Sequence, residues 1–305
     1  MLMLLGLAVP LAIFGFGFGD DDDDNDAVRE MGSDDADALQ GGEGNDFIDG
    51  AAGDDILEGL AGDDTVFGRD GEDVLEGADG DDMLCSGDGD DVVTGNRGQD
   101  LIEGQGGNDW VSGDYGWDNV RGDDGDDTVI GGRGGDIVAG GEGDDLIFGG
   151  ILDGIPLNLE ELTALRDGGS LEDLNGGIEM RDDSLGNTVT GGAGDDDLIL
   201  GSSDLAAGNE GFDTFHIMSE QVGEEAARIE NFNAIEDAIT VIVDDTEADA
   251  DITVTNVNGD AVVSSGDNVL VRVTGAAGSI TEADITLIAE DTIEQLFDPN
   301  AAAVA

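Results

Sequence analysis

The chain of 305 residues has very few basic, thiol or imidazole groups. It contains no lysine, one cysteine (Cys85) and one histidine (His216). The lack of lysine excludes Walker-type phosphate loops and Schiff-base chemistry. A single cysteine excludes an intrachain disulfide and a cysteine-rich metal site, and a single histidine excludes a zinc centre built on several histidines.

Carboxylates dominate the composition: 75 aspartates and glutamates stand against nine arginines, for a formal net charge of −66. A surface this acidic repels phosphate backbones, so we expect no nucleic-acid partner. Such charge is typical of disordered chains, but 39% of the residues are hydrophobic and they recur at fixed intervals. Because the available ligands are oxygen atoms, a hard divalent cation is the expected counter-ion.

The first eighteen residues are almost wholly apolar. As a helix they would span about 27 Å, close to one hydrocarbon core. The segment lacks the basic start of a signal peptide and has only a poor cleavage site. We expect an N-terminal hydrophobic helix over residues 1–19, either a retained membrane anchor or a cleaved signal, with residues 1–18 as the membrane contact. Residues 20–40 are predicted to be an acidic linker.

A nine-residue repeat follows. Residues 41–148 divide into twelve consecutive nonapeptides without an insertion. Position one is glycine in eleven repeats (Ser86 is the exception), position four is glycine in all twelve, and position eight is always Ile, Leu or Val. Position six is always aspartate: Asp46, Asp55, Asp64, Asp73, Asp82, Asp91, Asp100, Asp109, Asp118, Asp127, Asp136 and Asp145.

This period predicts the fold. Glycines at positions one and four suit turns with positive φ and close approach of backbones, and positions seven to nine suit a short strand with alternating side chains. Two repeats then make one coil, and stacked coils make two parallel sheets with position eight between them. The aspartates would line both edges about 4.8 Å apart, where like charges repel. We therefore expect the chain to be unfolded without a bound cation and folded with it.

The consensus GGxGxDxUx resembles the RTX (repeats-in-toxin), hemolysin-type calcium-binding family. The resemblance implies a parallel β-roll over residues 41–149, in which main-chain carbonyls and the position-six aspartates hold calcium. It implies that the twelve aspartates are metal ligands and that about ten or more calcium ions bind. Arg97 and Arg133 at position three, and Tyr115 and Trp117 in one turn, depart from the consensus.

The repeat is interrupted after residue 149. Residues 150–181 are predicted to be an insertion with a short helix capped by Asn158. Residues 182–216 resume the repeat in degenerate form, which adds Asp196 and Asp213 as expected metal ligands. Cys85 and His216 both fall at position nine, so we expect both to face outward without a functional role.

Residues 217–305 show strand-like alternation and are predicted to be a small β-domain that caps the solenoid. The expected strands are 239–243, 252–257, 261–265 and 269–273, with a turn at Asn258-Gly259. Residues 280–288 suit a strand or a helix. The predicted fold class is therefore all-β: a parallel β-roll, a C-terminal β-domain, one helical insertion and an N-terminal hydrophobic helix.

Position seven of the even-numbered repeats forms an apolar stripe on one sheet. Its members are Ile56, Val74, Val92, Trp110, Thr128 and Leu146. An exposed stripe of this length normally has a cover. Two covers suit it, the 158–166 helix or a second copy of the chain; the alternative is that these residues are there only as good strand formers.

The sequence favours a non-catalytic, calcium-binding protein that is secreted or surface-anchored, because weak carboxylate sites suit the millimolar calcium found outside cells. No His-Glu-x-x-His or Gly-x-Ser-x-Gly motif is present, and no catalytic residue is predicted. The alternatives are a structural or adhesive cell-surface protein with another partner, or an accessory module of an enzyme. The expected location is extracellular or in the cell envelope.

Overall fold

Each nonapeptide forms one short strand. The computed structural model describes residues 27–153, 157–167, 179–219, 225–243 and 251–289. Successive strands alternate between two sheets, so that a strand pairs in parallel with the strand one coil, or 18 residues, away; Phe47 is paired with Thr65, and Ile56 with Val74. The predicted parallel roll is confirmed for the repeats.

Sheet 1 has thirteen strands and sheet 2 has eleven, numbered here in chain order. Sheet 1 runs in the order β1 (Arg29–Met31), β3 (Phe47–Ala52), β5 (Thr65–Asp70), β7 (Met83–Asp88), β9 (Leu101–Gly106), β11 (Asn119–Asp124), β13 (Ile137–Glu142), β17 (Thr188–Ala193), β19 (Leu205–Glu210), β21 (Ala227–Glu230), β25 (Asn268–Val273), β24 (Asp260–Ser265) and β23 (Ile252–Val257). Sheet 2 runs in the order β2 (Ala38–Gln40), β4 (Ile56–Ala61), β6 (Val74–Asp79), β8 (Val92–Gly98), β10 (Trp110–Gly116), β12 (Thr128–Arg133), β14 (Leu146–Phe148), β18 (Asp197–Leu200), β20 (Thr214–Met218), β22 (Ala238–Val243) and β26 (Ile285–Ala289).

The core lies between the two sheets. Every position-eight side chain of the twelve repeats, from Ile48 to Ile147, is fully buried there. The same core continues through Val189, Leu198 and Phe215 into the C-terminal strands. Burial of an aliphatic side chain contributes about 1.5–3 kcal/mol, so one buried residue per strand is the main apolar contribution to each coil.

The turns use their glycines differently from the prediction. Position-four glycines such as Gly53 and Gly80 do adopt positive φ, of 113° and 153°. Position one does not, and the left-handed residue is instead at position two, which is often not glycine; Ala51 has φ of 82°. The prediction of positive φ at position one is therefore wrong. Glycine is needed there because a side chain would meet the neighbouring turn.

The roll begins before the predicted boundary. Strands β1 and β2 lie within residues 20–40, the predicted linker, and they pair in parallel with β3 and β4. Residues 32–40 are in fact a degenerate repeat, with Gly32 at position one, Asp37 at position six and Leu39 in the core. The linker prediction is therefore wrong for the described part of that segment.

The predicted N-terminal hydrophobic helix, residues 1–19, lies outside the described residues. Among the residues that the structure describes, no helix combines the length and apolar character needed to cross a bilayer.

The insertion packs onto the apolar stripe of sheet 2. Helix α1 (Leu159–Arg166) begins after Asn158, whose Oδ1 accepts a hydrogen bond from Glu161 N, while Glu161 Oε2 accepts one from Asn158 N. This reciprocal pair satisfies backbone donors of the first turn. The apolar side chains of helix α1 join Val74, Val92 and Trp110 in a second buried cluster. The prediction that the 158–166 helix covers the stripe is confirmed, and it removes the reason for expecting a second copy there.

The helix is held at both ends of the cluster. Ahead of it, β15 (Ile151–Asp153) pairs in antiparallel fashion with β16 (Glu179–Arg181) over sheet 2. At its other end, the Arg166 guanidinium donates to the carbonyl oxygens of Asp54, Asp55 and Glu72 at 3.4–3.5 Å. The insertion is therefore fastened to the turns of the roll as well as to its apolar face.

Leu162→Ala tests this cover. Leu162 is fully buried in the second cluster, and truncation of such a side chain costs about 2–5 kcal/mol. We expect the variant to have a lower denaturation midpoint in calcium. Tryptophan fluorescence measures this midpoint, because Trp110 lies in the same cluster. The control Leu185→Ala removes a half-exposed side chain and should shift the midpoint little. Equal midpoints for both variants would show that the helix does not stabilise the sheet.

The C-terminal strands continue the two sheets of the roll. β21 and β25 extend sheet 1, and β22 and β26 extend sheet 2. The predicted strands are confirmed, with the Asn258-Gly259 turn between β23 and β24. Residues 280–288 contain a short 3-10 helix (Glu282–Asp284) followed by β26. That this part is a separate capping domain, with boundaries at 217 and 305, stays a prediction.

Candidate calcium sites

The position-six aspartates form two buried rows, one along each edge of the roll. Row 1 contains Asp46, Asp64, Asp82, Asp100, Asp118 and Asp136, and row 2 contains Asp55, Asp73, Asp91, Asp109, Asp127, Asp145, Asp196 and Asp213. All fourteen are at most 3% exposed. All fourteen aspartates predicted as metal ligands therefore lie in these rows, because position six always lies at the end of the turn; that they bind a metal stays a prediction.

One carboxylate oxygen of each aspartate holds the neighbouring coil. Asp64 Oδ1 accepts a hydrogen bond of 2.7 Å from Asp46 N, and Asp73 Oδ1 accepts one of 2.7 Å from Asp55 N. The same bond recurs along both rows and crosses the insertion, where Asp196 Oδ1 accepts from Asp145 N. This ladder orients each carboxylate so that its second oxygen is directed away from that donor.

The second oxygen has no hydrogen-bond partner among the described residues. This is true of Oδ2 in thirteen aspartates: Asp55, Asp64, Asp73, Asp82, Asp91, Asp100, Asp109, Asp118, Asp127, Asp136, Asp145, Asp196 and Asp213. A buried carboxylate oxygen without a donor or cation is strongly unfavourable. Thirteen of them in two ordered rows indicate positions for bound cations.

Main-chain oxygens approach the same places. A Cβ added to Gly113 would lie 2.6 Å from Asp118 Oδ2 and 2.7 Å from the carbonyl oxygen of Gly131 in the next coil. The bare glycine therefore leaves room where a carboxylate and a carbonyl of successive turns converge. At the one exception, the Ser86 hydroxyl occupies this room and donates to Gly104 O at 2.8 Å. We expect the site beside Ser86 to differ from its neighbours.

Burial makes the charged form of these aspartates unfavourable. It raises the pKa of Asp91, Asp100, Asp109 and Asp127 to about 8, and that of Asp145 to about 7. The backbone N–H of the preceding coil lowers the pKa and neighbouring aspartates raise it, but burial is the largest cause. A divalent cation in each gap would supply the missing counter-charge.

The donor set fits calcium. Within the described parts of the chain, no three His, Cys, Asp or Glu side chains converge on one point. The convergence of aspartate Oδ2 atoms and main-chain carbonyls beside the position-one glycines offers an all-oxygen set that suits a hard cation with six to eight ligands.

Comparison with known families agrees with this donor set. The family described as "RTX calcium-binding nonapeptide repeat (4 copies)" matches residues 31–66, 49–84, 58–93, 86–116, 94–129, 121–153 and 186–204. The repeats are RTX calcium-binding nonapeptide repeats. The match starts at residue 31, within the predicted linker. It therefore agrees with strands β1 and β2, which also place the start of the roll before residue 41.

Comparisons with individual proteins add little. No curated protein matches the chain. Among solved structures, the crystal structure of extracellular lipase LipA from Serratia marcescens is 18% identical, with a TM-score of 0.25. The match covers 80% of this chain and 40% of the lipase, so the chain spans about two fifths of that protein's length. At this TM-score the likeness carries no argument about activity.

Sequence reasoning missed four side chains that continue the RTX rows. Asn187 Oδ1 accepts from Asp136 N at 2.8 Å, and Asp204 Oδ1 accepts from Asn187 N at 2.9 Å, which extends row 1. At the two ends of row 2, Asp37 N donates to Asp55 Oδ1 at 2.7 Å, and Asp237 Oδ1 accepts from Asp213 N. The glycine at position one and the aliphatic residue at position eight reveal Asp37, and the nine-residue period reveals Asn187 and Asp204, which precede Asp196 and Asp213 by nine residues; only Asp237, 24 residues after Asp213, is off the period.

Even with these additions, the two rows differ in their number of unpaired carboxylate oxygens. Asn187 carries no charge, and both oxygens of Asp204 accept backbone hydrogen bonds. Asp46 also differs, because its Oδ2 accepts from Gly42 N. Row 1 therefore has five unpaired Oδ2 atoms and row 2 has eight.

The two predicted outward residues are both covered. His216 is only 4% exposed, and its ring nitrogens contact Thr240 Oγ1 at 2.6 Å and Asp197 Oδ1 at 2.8 Å. The prediction of a surface histidine is therefore wrong. Cys85 lies on the outer side of β7 as predicted, but it is 7% exposed beside Glu103, and burial raises the pKa of its thiol to about 11. An unreactive thiol results.

Proposed function

We propose that this protein is a non-catalytic calcium-binding protein whose roll folds when calcium occupies the two aspartate rows. The observation that supports this most directly is the set of thirteen buried Oδ2 atoms without a partner. A cation between successive turns satisfies these atoms and removes the repulsion between neighbouring aspartates. Calcium binding and folding are then one process.

The unequal rows support a specific distribution of ions. Row 2, with eight unpaired Oδ2 atoms, would hold more calcium than row 1, with five. The proposed ligands are the twelve aspartates from Asp46 to Asp145 together with Asp196 and Asp213, and we propose about ten or more ions in total. Asp46 is the weakest candidate because Gly42 N already uses its second oxygen.

The proposed working place is outside the cytoplasm. Sites built from carboxylates and carbonyls in short turns are suited to dissociation constants of about 0.1–1 mM, the range of extracellular calcium modules. A secreted or surface-anchored protein meets such calcium, and a cytosolic one does not. We retain membrane contact through residues 1–18 as part of the proposal, because their apolar length suits a bilayer.

Asp145→Asn tests the ligand assignment. Asparagine keeps the Oδ1 acceptor for Asp127 N but replaces the unpaired Oδ2 with an amide nitrogen, which cannot bind calcium. Calorimetric titration of the full chain should show fewer bound calcium ions and a higher calcium midpoint. The midpoint should rise about tenfold if the site loses one charged ligand of roughly 1.4 kcal/mol.

Asp144→Asn is the matched control. Asp144 is the preceding residue, it is exposed, and its Oδ1 also accepts a backbone hydrogen bond, of 2.7 Å from Asp195 N. The substitution makes the same chemical change and removes the same charge, so it reports the general effect of lower net charge. If both variants bind calcium alike, the buried row does not bind calcium.

A further inference from the structure

A basic and aromatic patch interrupts the row 1 edge of this acidic protein. Arg97, Tyr115 and Arg133 lie on adjacent strands β8, β10 and β12, and Tyr115 is in register with both arginines. The Arg133 guanidinium lies over the Tyr115 ring, 5.2 Å from its centroid. Trp117, two residues further on, is 70% exposed. We call these four residues the edge patch.

The edge patch is open to a partner. The Arg97 side chain is 73% exposed, and its ion pair with Asp79, at 3.3 Å, is exposed as well, so that pair contributes little. A large exposed indole flanked by guanidinium groups is the composition that protein interfaces favour. With only nine arginines in the chain, two in one patch make this a distinct feature of the surface.

The opposite, row 2 edge carries an acidic groove. It has a volume of about 270 Å³ and is lined by the exposed residues Asp90, Asn108 and Asp126, with Leu165 and Arg166 of helix α1 on one side. These three residues occupy position five of successive coils: Asp90 Oδ1 accepts from Asn108 N, and Asn108 Oδ1 accepts from Asp126 N. The groove lies where helix α1 meets this acidic ladder.

The patch and the groove have the same spacing and opposite charge. Arg97, Tyr115 and Arg133 are 18 residues apart in sequence, as are Asp90, Asn108 and Asp126. Both sets therefore rise by one strand spacing per coil, and the two arginines and the two aspartates each span about 9.6 Å. Each guanidinium can meet one carboxylate, a charge-assisted pairing, with Tyr115 facing Asn108.

We infer that the edge patch of one molecule docks in the acidic groove of a second copy of this chain, with Trp117 entering the groove. The contact joins unlike edges, so it is heterologous and leaves a patch and a groove unused at the two ends. Repetition then gives an open, side-by-side assembly. It requires calcium, and here it rests on the proposed function, because at a formal net charge of −66 the metal-free chains repel one another.

Sedimentation velocity of the full chain in calcium tests the contact. Wild-type protein should form larger species as its concentration rises. The variant R97E/R133E and the variant D90R/D126R should each stay monomeric, because patch and groove then carry like charge. An equimolar mixture of the two variants should recover association, because each reversed surface meets its complement. Trp117→Ala should weaken association by about tenfold or more.

Folding of each variant is monitored by the change in its circular dichroism spectrum on addition of calcium in the same buffer. If a reversal prevents folding, the milder pairs R97Q/R133Q and D90N/D126N replace it and should also abolish association. A monomeric wild-type protein, association unaffected by either reversal, or a mixture that stays monomeric would overturn the inference. Calcium-induced folding would persist in all these cases, so the proposed function would stand independently of the contact.

Discussion

Removal of calcium from the full chain by excess chelator will abolish its β-sheet circular dichroism. The fourteen position-six aspartates are at most 3% exposed, and successive members of a row are one strand spacing apart. At an effective dielectric constant near 20, two unit charges at this distance repel by about 3–4 kcal/mol. A single buried aliphatic residue per strand, at about 1.5–3 kcal/mol, does not offset this repulsion together with the entropy of ordering nine residues.

Readdition of calcium should restore the spectrum cooperatively, because every ion bridges two coils and orders the turn for the next one. Magnesium at the same concentration is the control, and it should fail. Its strict octahedral geometry and reluctant dehydration do not suit sites built largely from carbonyls and single carboxylates. A β-sheet spectrum that persists in excess chelator would show that the roll is stable without metal and that the aspartate rows are only a buried edge.

Acidification of the calcium-free protein should increase its folded structure. The pKa of Asp91, Asp109 and Asp127 is raised by burial to about 8, and that of Asp64 to about 6. Each is above the ordinary value of 3.8 that the unfolded chain retains. Between the unfolded pKa of 3.8 and the raised pKa, the folded state binds more protons than the unfolded state. The stability of the folded state therefore rises as the pH falls from about 8 through 6, and it levels off below the unfolded pKa.

The calcium-loaded protein should respond in the opposite direction. Protons compete with calcium for the same carboxylates, so the calcium midpoint should rise as the pH falls through this window. Circular dichroism between pH 8 and 5, once in chelator and once at fixed subsaturating calcium, measures both effects. A calcium-free chain whose β-sheet signal stays constant or decreases on acidification would contradict the buried aspartate rows.

The repeats were predictable because the same pattern recurs many times. Asp46 to Asp145 occupy the same place in twelve consecutive nonapeptides, and that regularity alone places position six at the turn and position eight in the core. The helix capped by Asn158 was predictable for a local reason, since the cap and its partner Glu161 are three residues apart. Its position on the apolar stripe followed from the need to bury Val74, Val92 and Trp110.

The prediction failed where the consensus weakens or the period changes. Residues 32–40 have Asp35 instead of glycine at position four, which hides the repeat although Asp37 and Leu39 keep their places. Asn187 joins row 1 because strand β17 pairs with β13 across 51 residues. No fixed sequence spacing predicts that hydrogen bond, because the insertion changes the number of residues between the two coils. The burial of His216 beside Thr240 likewise depends on β22, which is not a repeat.

Sequence alone determined the repeat architecture of this protein and the identity of the aspartates that line its two turn edges. A nine-residue period forces each repeat into one turn and one strand, so that the fourteen aspartates lie in rows whatever the remaining residues are. Tertiary structure alone decided which of their oxygens stay unpaired, that row 2 has more unpaired oxygens than row 1, and that the edge patch and the acidic groove lie on opposite edges. These features depend on hydrogen bonds between coils 17 to 51 residues apart, and local periodicity does not specify which atoms such contacts bring together.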